Sequence, residues 1–174
     1  MAGLSKQQIE EFLHVVGQRL EHAHSLFLLG GCALGFLGSF RPTLDLDYVG
    51  SDIKQDAFQH LLLNTANEMH IEIEAVPIDE FVPLPTGAAE RAILIGKYGL
   101  LTVYIFDPYT IALSKLDRGF DSDLEDIVFL ARQALIEIKE LTYMMSEAIP
   151  KAEQFDLDPK TMERHLQIVK QALK

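Results

Sequence analysis

The chain has 174 residues, 48% of them hydrophobic, with 26 acidic against 15 basic side chains and a formal net charge of −11. That length and a mean hydropathy of +0.11 suit one folded domain, with or without a helical appendage, and the acid excess excludes the broad basic surface on which general nucleic-acid affinity rests, leaving room only for a local patch. The single cysteine, Cys32, excludes an internal disulfide; MAGLSKQQIEEFL lacks the basic-then-apolar order of a secretion signal; and the uncharged run 25–40 is interrupted by four glycines. At 16 residues that run is shorter than the ~20 a spanning helix needs, so the expectation is a cytoplasmic protein with no membrane segment.

The elements are predicted in chain order from period and punctuation. Ser5 with Gln8 three residues on reads as a capping box, and Ile9, Phe12, Leu13, Val16 and Leu20 follow at helical spacing. SLFLLGG (25–31) is a buried strand ending in a glycine pair that turns into a helix, CALGFLG (32–38). TLDLDYVG (43–50) alternates as a second strand. SDIKQDAFQHLLLNTANEM (51–69) has a capping start and a 3.6-residue period, and HIEIEAV (70–76) alternates as a third strand. After the proline-rich loop FVPLPTG, the runs RAILIG and LLTVYIF separated by KYG form a hairpin. From Pro108 the chain is helical, over 108–119, 121–135, 139–152 and 158–174, with breaks at Gly119 and Pro150. The fold class is therefore α+β: a small mixed sheet with flanking helices over residues 1–107, and a helical C-terminal region over 108–174 packed on it.

Two features carry chemistry. Gly30 and Gly31 stand where a strand gives way to a helix, whose first N–H groups have no partner within it and favour an anion; the alternative is that the four glycines only let a short helix pack closely. Asp45 and Asp47 are two apart in a strand, so their carboxylates share a face at roughly 6–7 Å. A pair of like charges there is either a solvated strand face or the seat of a hard divalent cation, which takes one or two carboxylates plus substrate phosphates. The glycine turn about fifteen residues upstream, with Arg41 and Thr43 just before the aspartates, favours a nucleotide site.

The stretch LGGCALGFLGSFRPTLDLD resembles the glycine motif and R-x-T-x-D-x-D signature of the DNA-polymerase-beta-type nucleotidyltransferase superfamily, and is similar to its small prokaryotic members grouped with abortive-infection toxins of the AbiEii type. DPYTIALSKLDRGFDSDLEDI resembles the downstream pattern of the same branch, so the likeness spans residues 26–127. The resemblance implies that Gly30 and Gly31, joined by Arg41 and Thr43, hold the phosphates of a nucleoside triphosphate, and that Asp45 and Asp47 bind Mg²⁺ or Mn²⁺. It further implies that Lys115, assisted by Arg118, neutralises triphosphate charge and that Asp123 and Asp126 form a last acidic pair. A third carboxylate on the neighbouring strand often completes such sites; Glu72 and Glu74 share a face there, either as that ligand, with Glu74 placed in the metal set, or as a solvated face. Two positions depart from the pattern: Ser122 stands where it has lysine, and Cys32 where many members have serine. The implied reaction moves a nucleoside monophosphate to an acceptor hydroxyl on an RNA end, a protein or a small molecule, and the implied partner is an antitoxin; a nucleotide-binding or protein-interaction module of low activity is the alternative.

Other features have plain readings. His22 and His24 end the first helix in poor geometry for one metal, Met144 and Met145 fill an apolar stripe, and the acids at 121, 123, 125 and 126 open a helix, where its dipole favours them.

Overall fold

The computed structural model describes residues 3–51, 53 and 56–174. These fall into two compact units, one formed by residues 1–77 and 92–106 and the other by 78–91 and 107–174. The stretch 78–91 thus groups with the helical part.

The first unit begins with α1 (Lys6–Arg19), and its start is the capping box expected: the Gln8 N–H donates to Ser5 Oγ at 3.2 Å while the Ser5 N–H donates to Gln8 Oε1 at 2.9 Å. Ile9, Phe12, Leu13 and Val16 form its buried stripe, each contributing about 1.5–3 kcal/mol of burial. Gly17 continues the stripe because only a glycine fits: a Cβ there would collide with the Tyr98 carbonyl. Then follow β1 (His24–Leu28), α2 (Gly30–Phe36), β2 (Leu46–Val49), α3 (Ala57–Met69), β3 (Ile73–Val76), β4 (Ile93–Tyr98) and β5 (Leu101–Ile105). The sheet runs β3-β2-β1-β5-β4, with β1/β5 and β2/β3 parallel and β1/β2 and β4/β5 antiparallel. It is the small mixed sheet with flanking helices expected of an α+β fold. Leu101, Val103 and Ile105 alternate into the core with half-buried neighbours, the period-two pattern of a strand.

Several boundaries differ from the sequence reading for local reasons. The α2 helix starts at Gly30, so the glycine pair lies in its first turn. In the hairpin, Lys97 and Tyr98 belong to β4, because Gly99 at φ 62° makes a two-residue loop sufficient. The third helix is capped by Asp56, whose Oδ1 accepts from the Gln59 N–H at 2.8 Å; Asp52, Lys54 and Gln55, in the expected capping start, lie outside the described residues, as do Met1 and Ala2. His22 lies beyond α1 and His24 opens β1, where its ring stacks on Phe58 at 4.6 Å. The expected helical H-x-H is therefore absent.

The second unit holds α4 (Ile78–Phe81), α5 (Pro108–Arg118), α6 (Asp121–Arg132), α7 (Ile138–Ala148), a 3-10 turn (Ile149–Phe155) and α8 (Pro159–Ala172). Pro150 opens the 3-10 turn and Gly119 caps α5 in the left-handed region, as the expected breaks require. The core is built from Ile111, Leu116, Ile127, Leu130, Leu141 and Leu166, with Met144 and Met145 buried as expected. No helix among the described residues is long and apolar enough to cross a membrane.

Candidate active site

The site grows from β2. Leu46 and Tyr48 point into the core, which leaves Asp45, just before the strand, and Asp47, within it, on the half-buried opposite face. Parallel pairing sets Asp47 opposite Glu74 on β3, and aligned residues of a parallel pair share a face. One carboxylate oxygen from each of Asp45, Asp47 and Glu74 lies within 4.8 Å of the other two. Glu72 falls outside β3, where its carbonyl accepts from the Leu46 N–H at 2.9 Å. Register, which the alternation pattern alone left open between the two glutamates, brings Glu74 into the cluster.

The glycine turn is fastened beside this cluster. The Leu29 N–H donates to the Asp47 carbonyl at 2.9 Å, so the residue before the turn is held by the strand that carries the aspartates. Gly30 has φ 60°, and a Cβ there would collide with the Asp47 carboxylate; backbone strain and contact both require glycine. A Cβ on Gly31 would lie 3.0 Å from Thr43 Oγ1 and 3.6 Å from the Arg41 guanidinium. Thr43 in turn donates its hydroxyl to the Asp45 carbonyl at 2.9 Å. Glycine pair, Arg41, Thr43 and the two aspartates, separated by a dozen residues in sequence, thus form one contiguous surface.

Cys32 follows directly on Gly31, with its Sγ 3.6 Å from the Asp47 carbonyl oxygen. Its thiol is buried and donates to the Leu29 carbonyl at 3.0 Å. Burial, reinforced by the negative charge of Asp47, pushes its pKa from 9.0 up to about 12. A thiol whose folded pKa is raised binds its proton more tightly in the native state, so its contribution to stability is complete below about pH 9 and is lost as pH climbs towards about 12. In a thiol-reactive dye assay at pH 8, Cys32 should be silent in the native protein and titrate fully in urea.

A second group of expected site residues assembles in the helical unit. The Gly119 cap reverses the chain after α5, and the first turns of α6 then face Lys115. Lys115 Nζ donates to Asp123 Oδ1 at 3.0 Å and to Asp126 Oδ2 at 2.8 Å, all three side chains being buried. The more exposed Arg118 donates to the same Asp123 oxygen at 2.6 Å. Burial alone would raise the Asp123 pKa, but the Arg118 hydrogen bond and the Lys115 charge outweigh it and hold the carboxyl below its ordinary value. Asp123 and Asp126 are therefore partners in a buried ion network, and the dipole-facing role read from the acid run describes only part of what they do. Ser122, at the position of the pattern's lysine, sits half-buried in the first turn of α6.

One polar pair escaped the sequence reading. Asp107 is fully buried, caps α5 through the Tyr109 and Thr110 N–H groups, and is held by Arg91 through two hydrogen bonds of 2.8 Å. The signal was local: an aspartate before proline with threonine three positions later is a helix N-cap.

A five-stranded mixed sheet with flanking helices, and an acidic cluster set against a glycine turn at the end of its first strand, defines a nucleotidyltransferase-type core. The chain belongs to the family described as "Nucleotidyltransferase of unknown function (DUF6036)", whose model matches residues 6–171. The match names that family and not the abortive-infection branch that the motifs resemble. No curated protein and no solved structure gives a significant match.

Proposed function

We propose that the protein is a divalent-metal-dependent nucleotidyltransferase, taking a nucleoside triphosphate as donor and Mg²⁺ or Mn²⁺ on Asp45, Asp47 and Glu74. The observation that carries this reading is the convergence of three carboxylate oxygens within 4.8 Å of one another beside Gly30. The donor set fits a hard cation: ligand oxygens at ~2.0–2.6 Å from one ion lie ~3–5 Å apart, and the exposed Glu74 has freedom to close on it. When bound, such an ion neutralises phosphate charge and orients the reacting oxygens. The chain's own residues do the rest. The missing side chain of Gly30 makes room for the Asp47 carboxylate and that of Gly31 for Thr43 and Arg41, so that the turn, the positive charge of Arg41 and the cluster lie side by side, while Thr43 fixes the loop that presents Asp45. An acceptor hydroxyl oxygen bonds to the α-phosphorus as the α–β anhydride bond breaks; pyrophosphate leaves, and the hydroxyl proton passes to a carboxylate of the cluster. Most of the acceleration in such transfers is positioning and charge neutralisation.

In this reading the acceptor is an RNA end, a protein or a small molecule, and a net charge of −11 favours a compact one. A toxin or phage-defence role, with a neutralising antitoxin, belongs to the same reading. A second reading, a nucleotide-binding module of low activity, is favoured by Lys115: its ammonium is shared between two buried carboxylates, so offering it to a triphosphate would cost those pairs. Triphosphates labelled separately at the α and γ positions test the proposal. Incubated with cell extract and Mg²⁺, the protein should transfer α-label and not γ-label to an acceptor. Transfer of γ-label would identify a kinase instead, and transfer of neither would favour the module.

A further inference from the structure

Within the second unit a groove of about 560 Å³ runs between α6 and α8. Its volume would suit a small molecule, but its shape would not: the lining follows α6 from Asp121 in the first turn to Gln133 just past the end, about 18 Å at ~1.5 Å per residue. Steps of three and four residues put Asp121, Glu125, Val128 and Arg132 on one side of α6, and Ile168 and Ala172, four apart, line the groove from α8. Its middle is apolar and open: Ile168 is 45% exposed, and Val128 and Phe129 are only half-buried. Charge is confined to the ends. Asp121 and Glu125, both exposed, stand in the first half of α6; Arg132 stands at its end, where one of its N–H groups donates to the Ala172 carbonyl at 3.2 Å and ties the guanidinium to the rim.

We infer that this face is the contact between two copies of the chain, related by a two-fold axis that crosses α6 near its middle. The charge pattern singles out that occupant. Laid antiparallel on a copy of itself about the midpoint of Val128 and Phe129, α6 sets Glu125 of each copy against Arg132 of the other and Val128 against Phe129, so the surface is complementary to itself. A uniformly basic or uniformly acidic helix from another protein would meet one end with the wrong sign. An apolar centre with a charged rim is the usual anatomy of a protein interface, and α6 and α8 from each copy together make a four-helix arrangement. With these helices 12 and 14 residues long, the buried area falls at the small end of specific interfaces, so association in the micromolar range is expected.

The test is sedimentation velocity on the full chain across the micromolar range, for wild type, Ile168→Glu, Glu125→Arg, Arg132→Glu and the Glu125→Arg, Arg132→Glu double variant. All three positions are exposed, so the variants should fold, which circular dichroism checks. Wild type should pass from the 19.6 kDa monomer to a dimer as concentration rises. Each single charge reversal sets like charges against each other at both symmetry-related positions and should weaken the dimer by about tenfold or more. Ile168→Glu should abolish it, and the double variant should return to within about threefold of wild type, because its exchanged ends face each other again. A chain that stays monomeric throughout would overturn the inference and turn the groove over to another occupant, a helix of a different protein or a small apolar molecule. So would a dimer indifferent to Ile168→Glu, which would lie on another face, or a double variant no stronger than the single ones, which would mean that Glu125 and Arg132 do not meet. Growth beyond the dimer would overturn it as well, since a two-fold contact closes on itself.

Discussion

Lys115→Met should destabilise the protein by about 3–5 kcal/mol, because removing the cation leaves Asp123 and Asp126 buried without their shared partner. Arg118 remains for Asp123, but it reaches only one oxygen of that carboxylate. In urea denaturation followed by circular dichroism, the midpoint should fall by about 1–3 M. Asp123 gives the companion pH dependence. Its folded pKa is held below the ordinary carboxylate value, so its contribution to stability is present above pH ~4 and is lost as pH falls through the lower, folded value. Asp123→Asn should therefore flatten the acid limb of the stability profile. A Lys115→Met protein with unchanged stability would mean that the network contributes nothing to the fold.

Asp45→Asn combined with Asp47→Asn should abolish metal-dependent nucleotide binding, by about 100-fold or more, while changing stability by less than about 1 kcal/mol. The two effects separate because asparagine keeps the shape and the acceptor oxygen of the carboxylate on a half-buried face, while losing the charge that a hard cation needs. Glu74→Gln should give a smaller loss, since it is the exposed member and two carboxylates commonly suffice for Mg²⁺. A double variant that unfolds would assign Asp45 and Asp47 a structural role.

Much of this was legible from residue order alone. The capping box at Ser5, the alternating β2 and β5, and the Gly119 break are each dictated by side-chain period or backbone freedom within a few residues. The Asp45/Asp47 pair was legible for the same reason: alternation fixes a shared face. What required the fold is everything set by pairing between distant segments. Choosing Glu74 over Glu72 depends on the β2/β3 register, which neither strand specifies by itself. The clash between a Gly30 side chain and Asp47 depends on β1 lying beside β2. That Cys32 stands where many members have serine does not say where the thiol goes; in the fold it is buried against the Leu29 and Asp47 carbonyls. The resemblance assigns Lys115 to triphosphate charge because a sequence motif names a residue but not its partners; those partners come from α6 after the chain has reversed.

The most direct test of the central claim is calorimetric titration of the four ribonucleoside triphosphates into the purified protein, with Mg²⁺ and with chelator, for wild type and for the Asp45→Asn, Asp47→Asn double variant. The account predicts binding that requires both the metal and the aspartates, with circular dichroism spectra of the two proteins superimposable. Triphosphate binding of equal strength in the double variant, or in wild type with the metal chelated, would contradict it.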